Sequence, residues 1–332
     1  MMEDDVLEKI YSRLAEQPFE YMRIIWHGGE PMTAGLAFYK KAMKLQKKYL
    51  GDRKIINGMQ TNGTLIDKEW CNFFLKNDFK IGVSLDGDEY LNRDRISPDG
   101  EEAFQDIIKG IKLLKSFNVK YGLLSVVNKK IIGHEKTFYL FMKSLTNSLR
   151  LNIVVPFGMG APQADVFNEG ELDKIADSYL KIYDLWKDDS SNDNPFMISP
   201  FDELVGALVN NKIRTCYFSE RGCKNFASIG CDGKVYSCGR FSEDERFYMG
   251  SIMNDSFEEI YKSSITKMKS DRSDNVEKEC KDCKYRHVCN GGCAHESFAI
   301  LGNFYSKTPF CRVYYKLLER IENDINKIEK IN

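Results

Sequence analysis

The sequence predicts an α/β protein built on a parallel sheet, followed by a smaller cysteine-rich part. Short apolar runs alternate with amphipathic helical patterns from residue 3 to residue 187, and strands that read as unbroken apolar runs are those covered by helices on a parallel sheet. Polar and glycine residues gather where these runs end, at His27 to Pro31, Gln60 to Gly63, Ser84 to Gly87 and Asn128. In parallel α/β folds that edge holds the ligand, because loops there can vary while the sheet stays rigid. Nine of the ten cysteines lie between Cys216 and Cys311, which sets the last third of the chain apart.

In order, Val6, Leu7, Ile10 and Leu14 fall at helical spacing and predict an amphipathic helix over residues 3–16. The run YMRIIWHGGEP is a buried strand ending in a glycine pair. A helix near 35–49, a strand at KIINGMQTNG, a helix near 67–77, a strand at KIGVSLDG and a helix near 101–117 follow. Next come a strand at VKYGLLSVV, a helix near 134–147, a strand at RLNIVVPFG and a helix near 171–187, which makes five strands. The stretch DDSSNDNPF at 188–196 is a charged, turn-rich linker, and a short helix near 201–211 leads into the cysteine region. Between Cys223 and Cys238, FASIGCDGKVYSC reads as a β-hairpin around Asp232-Gly233 that presents Cys238. From Cys311 onward apolar residues recur at three and four, a terminal helix packed on the body. The expected division is therefore 1–190, a linker with a short helix at 191–212, a cysteine domain at 213–311 and a helix at 312–332.

Composition excludes several classes of function. The balance of 48 basic and 49 acidic side chains leaves a net charge of -1 and no electrostatic footprint for nucleic acid. No run approaches the roughly 18 apolar residues of a membrane helix. The opening MMEDDVLEKI is acidic and amphipathic, unlike a secretory signal, so the reading is a cytoplasmic protein. No nucleophile elbow, P-loop or dinucleotide fingerprint is present.

In a reducing compartment dense cysteines point to metal ligation rather than disulfides. The knot reads Cys280-x2-Cys283-x5-Cys289-x3-Cys293, with seventeen residues before Cys311. Gly291 and Gly292 relieve the tight backbone between Cys289 and Cys293. With Cys216, Cys223 and Cys238 these make eight thiols, enough for two four-thiolate sites that suit iron-sulfur clusters or zinc equally on count. Cys71 lies in a helical pattern as a small core residue, Cys231 stays unassigned, and His287 and His295 read as bystanders. His27 reads as a satisfied core histidine.

The strand-end motifs GGEP at Gly28 to Pro31, QTNGT at Gln60 to Thr64 and SLDG at Ser84 to Gly87 closely resemble those of radical SAM enzymes. The series Cys223-x9-Gly233-x4-Cys238, followed by the knot and Cys311, resembles the SPASM extension of that superfamily. The resemblance implies an incomplete parallel (β/α) partial TIM barrel that binds S-adenosylmethionine at its rim, with two auxiliary [4Fe-4S] clusters. It would place Cys216, Cys223, Cys238 and Cys293 on the nearer cluster and Cys280, Cys283, Cys289 and Cys311 on the farther one. It implies that Gly28, Gly29, Glu30 and Pro31 meet the aminoacyl end of the cofactor. Ser84, with Asn62, Asp86 and Arg95, would reach its ribose or carboxylate.

The family's CxxxCxxC loop is not in the sequence, since no cysteine occurs before Cys71. The first strand and its loop are expected to be lacking, which leaves five strands where the partial barrel has six, and the chain alone is expected not to generate the 5'-deoxyadenosyl radical. Either the chain is an amino-terminally shortened enzyme or it is a homologue that lost catalysis. The resemblance implies a maturase of a ribosomally made peptide or protein, making crosslinks or oxidising a side chain, served by an electron donor such as a flavodoxin or ferredoxin. Sulfatase maturases carry an aspartate directly after the hairpin cysteine, and here Gly239 and Arg240 stand there, so that chemistry, oxidation of Cys or Ser to formylglycine, ranks below other peptide maturation. A peptide-binding scaffold holding iron-sulfur clusters or zinc is the non-catalytic alternative.

Overall fold

The alternating pattern folds into a sheet with strand order β1-β2-β3-β4-β5-β6. The strands are β1 (Tyr21–Trp26), β2 (Lys54–Thr61), β3 (Lys80–Ser84), β4 (Tyr121–Val127), β5 (Ser148–Ile153) and β6 (Met197–Ser199). Pairing is parallel, with Tyr21 opposite Lys54, Gly58 opposite Lys80, Leu123 opposite Leu149 and Ser148 opposite Met197. A computed structural model describes residues 1–97, 99–156, 167–189, 195–210, 213, 215–219, 223 and 226–329. Among the described residues no helix is long and apolar enough to cross a membrane.

The helices are α1 (Asp4–Ala15), α2 (Gly35–Leu50), α3 (Lys68–Lys76), α4 (Glu89–Asn92), α5 (Phe104–Ser116), α6 (Glu135–Leu145), α7 (Glu169–Asp189) and α8 (Phe201–Asn210). After the sheet come α9 (Phe257–Tyr261), α10 (Ser264–Glu279), α11 (Arg286–Cys289), α12 (Ala294–Leu301) and α13 (Cys311–Glu329). Local chemistry sets several ends. Asp67 caps α3 by accepting from the Trp70 amide, and Ser256 and Glu259 form a reciprocal capping box on α9.

The expected count of five strands is corrected to six. The extra strand, β6, is three residues long and follows the stretch read as linker. Three residues cannot display a period, so only pairing with β5 reveals it. The rest of that linker falls largely on residues 190–194, outside the described residues. The hairpin is present as β7 (Ser228–Ile229) and β8 (Lys234–Tyr236), antiparallel, and a third strand, β9 (Tyr248–Ser251), extends it.

The chain divides into two compact units, neither continuous in sequence. The first holds Met1–Leu85, Arg93–Gly122 and Phe226–Met268. Its core joins Leu7, Tyr11 and Leu14 of α1 and Ala42 and Leu45 of α2 to Val235, Met249, Ile252, Phe257 and Ile260 of the hairpin region. The second holds Asp86–Asn92, Leu123–Asn225 and Lys269–Asn332. There the terminal helix α13 buries Val313, Tyr314, Leu317, Leu318 and Ile321. Ion pairs join it to α7, Arg320 to Asp184 at 2.8 Å and Lys187 to Asp324 at 3.1 Å.

Candidate functional site

In the first unit the loop after β1 needs its glycines. Gly28 and Gly29 have φ of +96° and +55°, a region L side chains avoid, and a Cβ on either would meet nothing within 4 Å. The backbone is thus left open to an approaching ligand.

Glu30 supports this loop rather than pointing away from it. Its Oε1 accepts from the Met32 amide at 3.0 Å and the Thr61 hydroxyl at 2.8 Å, and its Oε2 from the Asn62 amide at 2.7 Å. A carboxylate offers about four acceptor directions, so the protein occupies most of them. Thr61 in turn accepts from the Gly63 amide at 3.0 Å. Asn62 uses Oδ1 for its own turn, accepting from the Thr64 amide at 3.0 Å and hydroxyl at 2.9 Å. Ser84 Oγ accepts from Gln60 Nε2 at 3.0 Å. The structure therefore brings Glu30 to Asn62 and Ser84 to Gln60. Arg95 is half-buried, its carbonyl accepting from the Ala103 amide at 3.0 Å.

His27, read as a core histidine, is instead exposed, with Nδ1 accepting from the Gly28 amide at 2.6 Å. Atoms packed round its ring hold it below the ordinary imidazole value, Arg240 adds to this and Glu30 opposes it. Within this unit, then, the hairpin's Arg240 acts on the glycine loop. Asp86, in the second unit, staples backbone: its Oδ1 accepts from the Val126 amide at 2.7 Å and its own amide donates to Asn92 Oδ1 at 3.0 Å.

Seven of the eight knot thiols belong to the second unit and Cys238 to the first. Cys280, Cys283, Cys289 and Cys311 act on one another electrostatically. Burial pushes Cys289 up to about 12, with Cys311, Cys280 and Cys283 adding to it. Burial also raises Cys280 and Cys311, against the pull of Lys307. All four belong to the second unit, and an all-thiol set suits iron-sulfur or zinc. Among the described residues no three His, Cys, Asp or Glu side chains are already converged as metal ligands. Arg272, a residue the sequence reading passed over, is held below the ordinary guanidinium value by burial, which Cys223, Cys293, Cys289 and Glu296 oppose.

Comparison with known proteins agrees with these motifs. A family described as the radical SAM superfamily matches residues 1–135, and one described as an iron-sulfur cluster-binding domain matches residues 216–284. A serine-type anaerobic sulfatase-maturating enzyme of Bacteroides thetaiotaomicron is 30% identical over 97% of this chain and 81% of its own length. The chain belongs to the radical SAM family, with a SPASM domain. A cysteine-type anaerobic sulfatase-maturating enzyme of Clostridium novyi is 29% identical to this radical SAM chain over 99% of it and 88% of the relative. The solved native anSMEcpe with bound AdoMet and Kp18Cys peptide superposes with a TM-score of 0.85, at 27% identity over 98% of this chain and 91% of that one. These relatives back the sulfatase-maturing alternative, which the sequence reading placed below other peptide maturation, better than its main reading.

Proposed function

We propose that this radical SAM chain is a maturase-type protein of the sulfatase-maturing kind, which binds S-adenosylmethionine at the strand-end loops and acts on an extended peptide. The observation that carries the reading is a likeness to both cysteine-type and serine-type sulfatase-maturating enzymes that runs through nearly the whole chain, strand-end loops and cysteine region alike. Gly28 and Gly29 offer open backbone to the aminoacyl group, Ser84 and Asn62 lie on the same rim in the first unit, Arg95 belongs to that unit, and Asp86 holds a loop of the second. Cys280, Cys283, Cys289 and Cys311, all in the second unit, would hold one cluster, and Cys216, Cys223 and Cys293 of the same unit would contribute thiols to the other. Such clusters would accept electrons from substrate oxidation and pass them to a carrier of the flavodoxin or ferredoxin class in the cytoplasm.

The thiolates of the family's SAM-cleaving loop are not among these residues, so this polypeptide is expected to bind S-adenosylmethionine without releasing 5'-deoxyadenosine by itself. Gly239 and Arg240, standing where sulfatase maturases place an aspartate, favour as a second reading another oxidation or crosslink on a ribosomally made peptide. The test is anaerobic purification followed by metal analysis and calorimetry. Brown protein with broad absorbance near ~400 nm, about eight irons per chain, S-adenosylmethionine binding, and binding of a sulfatase-derived cysteine or serine peptide support the proposal. Colourless protein with about two zincs, or no affinity for S-adenosylmethionine, refutes it.

A further inference from the structure

Arg272 lies on α10 in the second unit and is only 8% exposed. Its Nε donates to the Phe304 carbonyl at 3.0 Å, and its Nη2 to the carbonyls of Gly292 at 3.0 Å, Ser306 at 3.3 Å and Gly291 at 3.4 Å. All four acceptors are neutral. A guanidinium buried against neutral carbonyls is costly unless negative charge stands close by. Burial disfavours its charge, and the groups whose ionised forms would favour it are Cys223, Cys293, Cys289 and Glu296.

The carbonyls it holds are those of the turn separating Cys289 from Cys293. That turn is clamped from two further sides. Gly291 and Gly292 take φ of +74° and +71°. A Cβ on Gly291 would fall 2.2 Å from Val276, one turn along α10 from Arg272, and a Cβ on Gly292 would fall 2.3 Å from Thr308. Thr308 donates its amide to the Gly291 carbonyl at 2.7 Å and its hydroxyl to Glu296 at 2.6 Å, and it accepts from the Cys311 amide at 3.2 Å. One assembly of Arg272, Val276 and Thr308 therefore sets the backbone of Cys289, Cys293 and Cys311.

We propose that Arg272 is a positioning residue and shared counter-charge for the thiolate centres, its guanidinium fixing the Gly291-Gly292 turn while holding positive charge beside Cys223, Cys289 and Cys293. The inference rests on the reading that these thiols hold iron-sulfur clusters. A cluster ligated by thiolates becomes more negative by one electron when reduced, and hydrogen bonds and charge near it set its potential. A buried cation favours the reduced form.

The test uses the full chain, reconstituted anaerobically, as wild type, Arg272→Gln and Arg272→Lys. Iron and sulfide per chain are measured first, and then the midpoint potential by an EPR-monitored titration in which dithionite supplies the electron. Arg272→Gln is expected to lower the equilibrium constant for cluster reduction at least tenfold, a fall of about 59 mV for a one-electron couple. Arg272→Lys, which keeps the charge and loses the fork, is expected to stay closer to wild type. Unchanged potentials in Arg272→Gln, or a shift in Arg272→Lys as large as that in Arg272→Gln, overturn the proposal. Should Arg272→Gln fail to hold iron, Arg272→Lys decides: a potential near wild type supports the counter-charge, and a tenfold fall refutes it. Absence of iron from wild type would instead refute the underlying reading.

Discussion

Gly110, in the middle of α5, sets helix propensity against packing. In an exposed helix, replacing glycine by alanine gains about 1 kcal/mol. At this position a Cβ would lie 2.3 Å from the Gly63 carbonyl oxygen and 3.3 Å from the Gly63 carbonyl carbon and Ile66 Cβ. The obstacle is backbone and cannot rotate away. Gly63 cannot retreat easily either, because its amide is held by Thr61 at 3.0 Å and its own Cβ position lies 2.8 Å from Val83 Cγ1. Overpacking costs about 1–3 kcal/mol, and against buried backbone the upper figure applies. Gly110→Ala should therefore lose about 2 kcal/mol net and displace the loop that carries Asn62. Urea denaturation read at unchanged m-value measures the loss, and calorimetry should show weaker S-adenosylmethionine binding. Gly206→Ala in α8 is the control, since nothing lies within 4 Å of a Cβ there, and it should gain up to about 1 kcal/mol. If both substitutions stabilise, the close approach of α5 to the Gly63 loop is wrong.

Three other outcomes follow from the same geometry. Glu30→Gln turns the acceptor at one oxygen into a donor facing another donor, so thermal unfolding should report a loss of about 2 kcal/mol, with a parallel loss of S-adenosylmethionine affinity in calorimetry. Cys311→Ala should remove about four of about eight irons per chain by iron analysis, whereas Cys71→Ala and Cys231→Ala together should remove none. Burial, reinforced by Asp202, raises Glu203 above the ordinary carboxyl value, against the pull of Arg150, Ser199 and Thr215. A raised value in the folded state means that this group favours folding when protonated and loses that contribution as pH rises through it. Glu203→Gln should therefore compare better with the parent at pH about 8 than at pH about 5, and a comparison that worsens with pH in thermal melts would remove the assignment.

What the sequence made legible follows from what local patterns can encode. Strands β1 to β5 are five residues or longer and carry several apolar residues each, and each is visible in the sequence. Helix α10 was not, because Ile265, Lys269, Arg272 and Val276 make up its buried stripe, and two of the four are cations. A hydrophobic period interrupted by charge reads as loop. The thiols Cys280 to Cys293 were legible because short spacing forces proximity. The clamp that sets their backbone was not, since Arg272 and Thr308 reach Gly291 and Gly292 from 19 and 16 residues away or more. At the rim, glycine at Gly28 and Gly29 announced its conformational need, whereas Glu30 carried no mark that its oxygens are already occupied.

That last point changes what the rim can offer a ligand. A carboxylate waiting for an ammonium would leave the loop after β1 free to move until the ligand arrived. A carboxylate that already accepts from Met32, Thr61 and Asn62 instead ties the β1 loop to the end of β2 beforehand. Affinity at such a site comes from pre-organised backbone, with little ordering cost left for the binding step. On the proposed function the Gly28-Gly29 amides and carbonyls would form the recognition surface and Glu30 the strut that aims them. Removing the strut should therefore cost affinity through disorder of the loop, which makes the entropy of S-adenosylmethionine binding to Glu30→Gln more unfavourable than in the parent. A purely enthalpic loss would return Glu30 to the role of direct ligand.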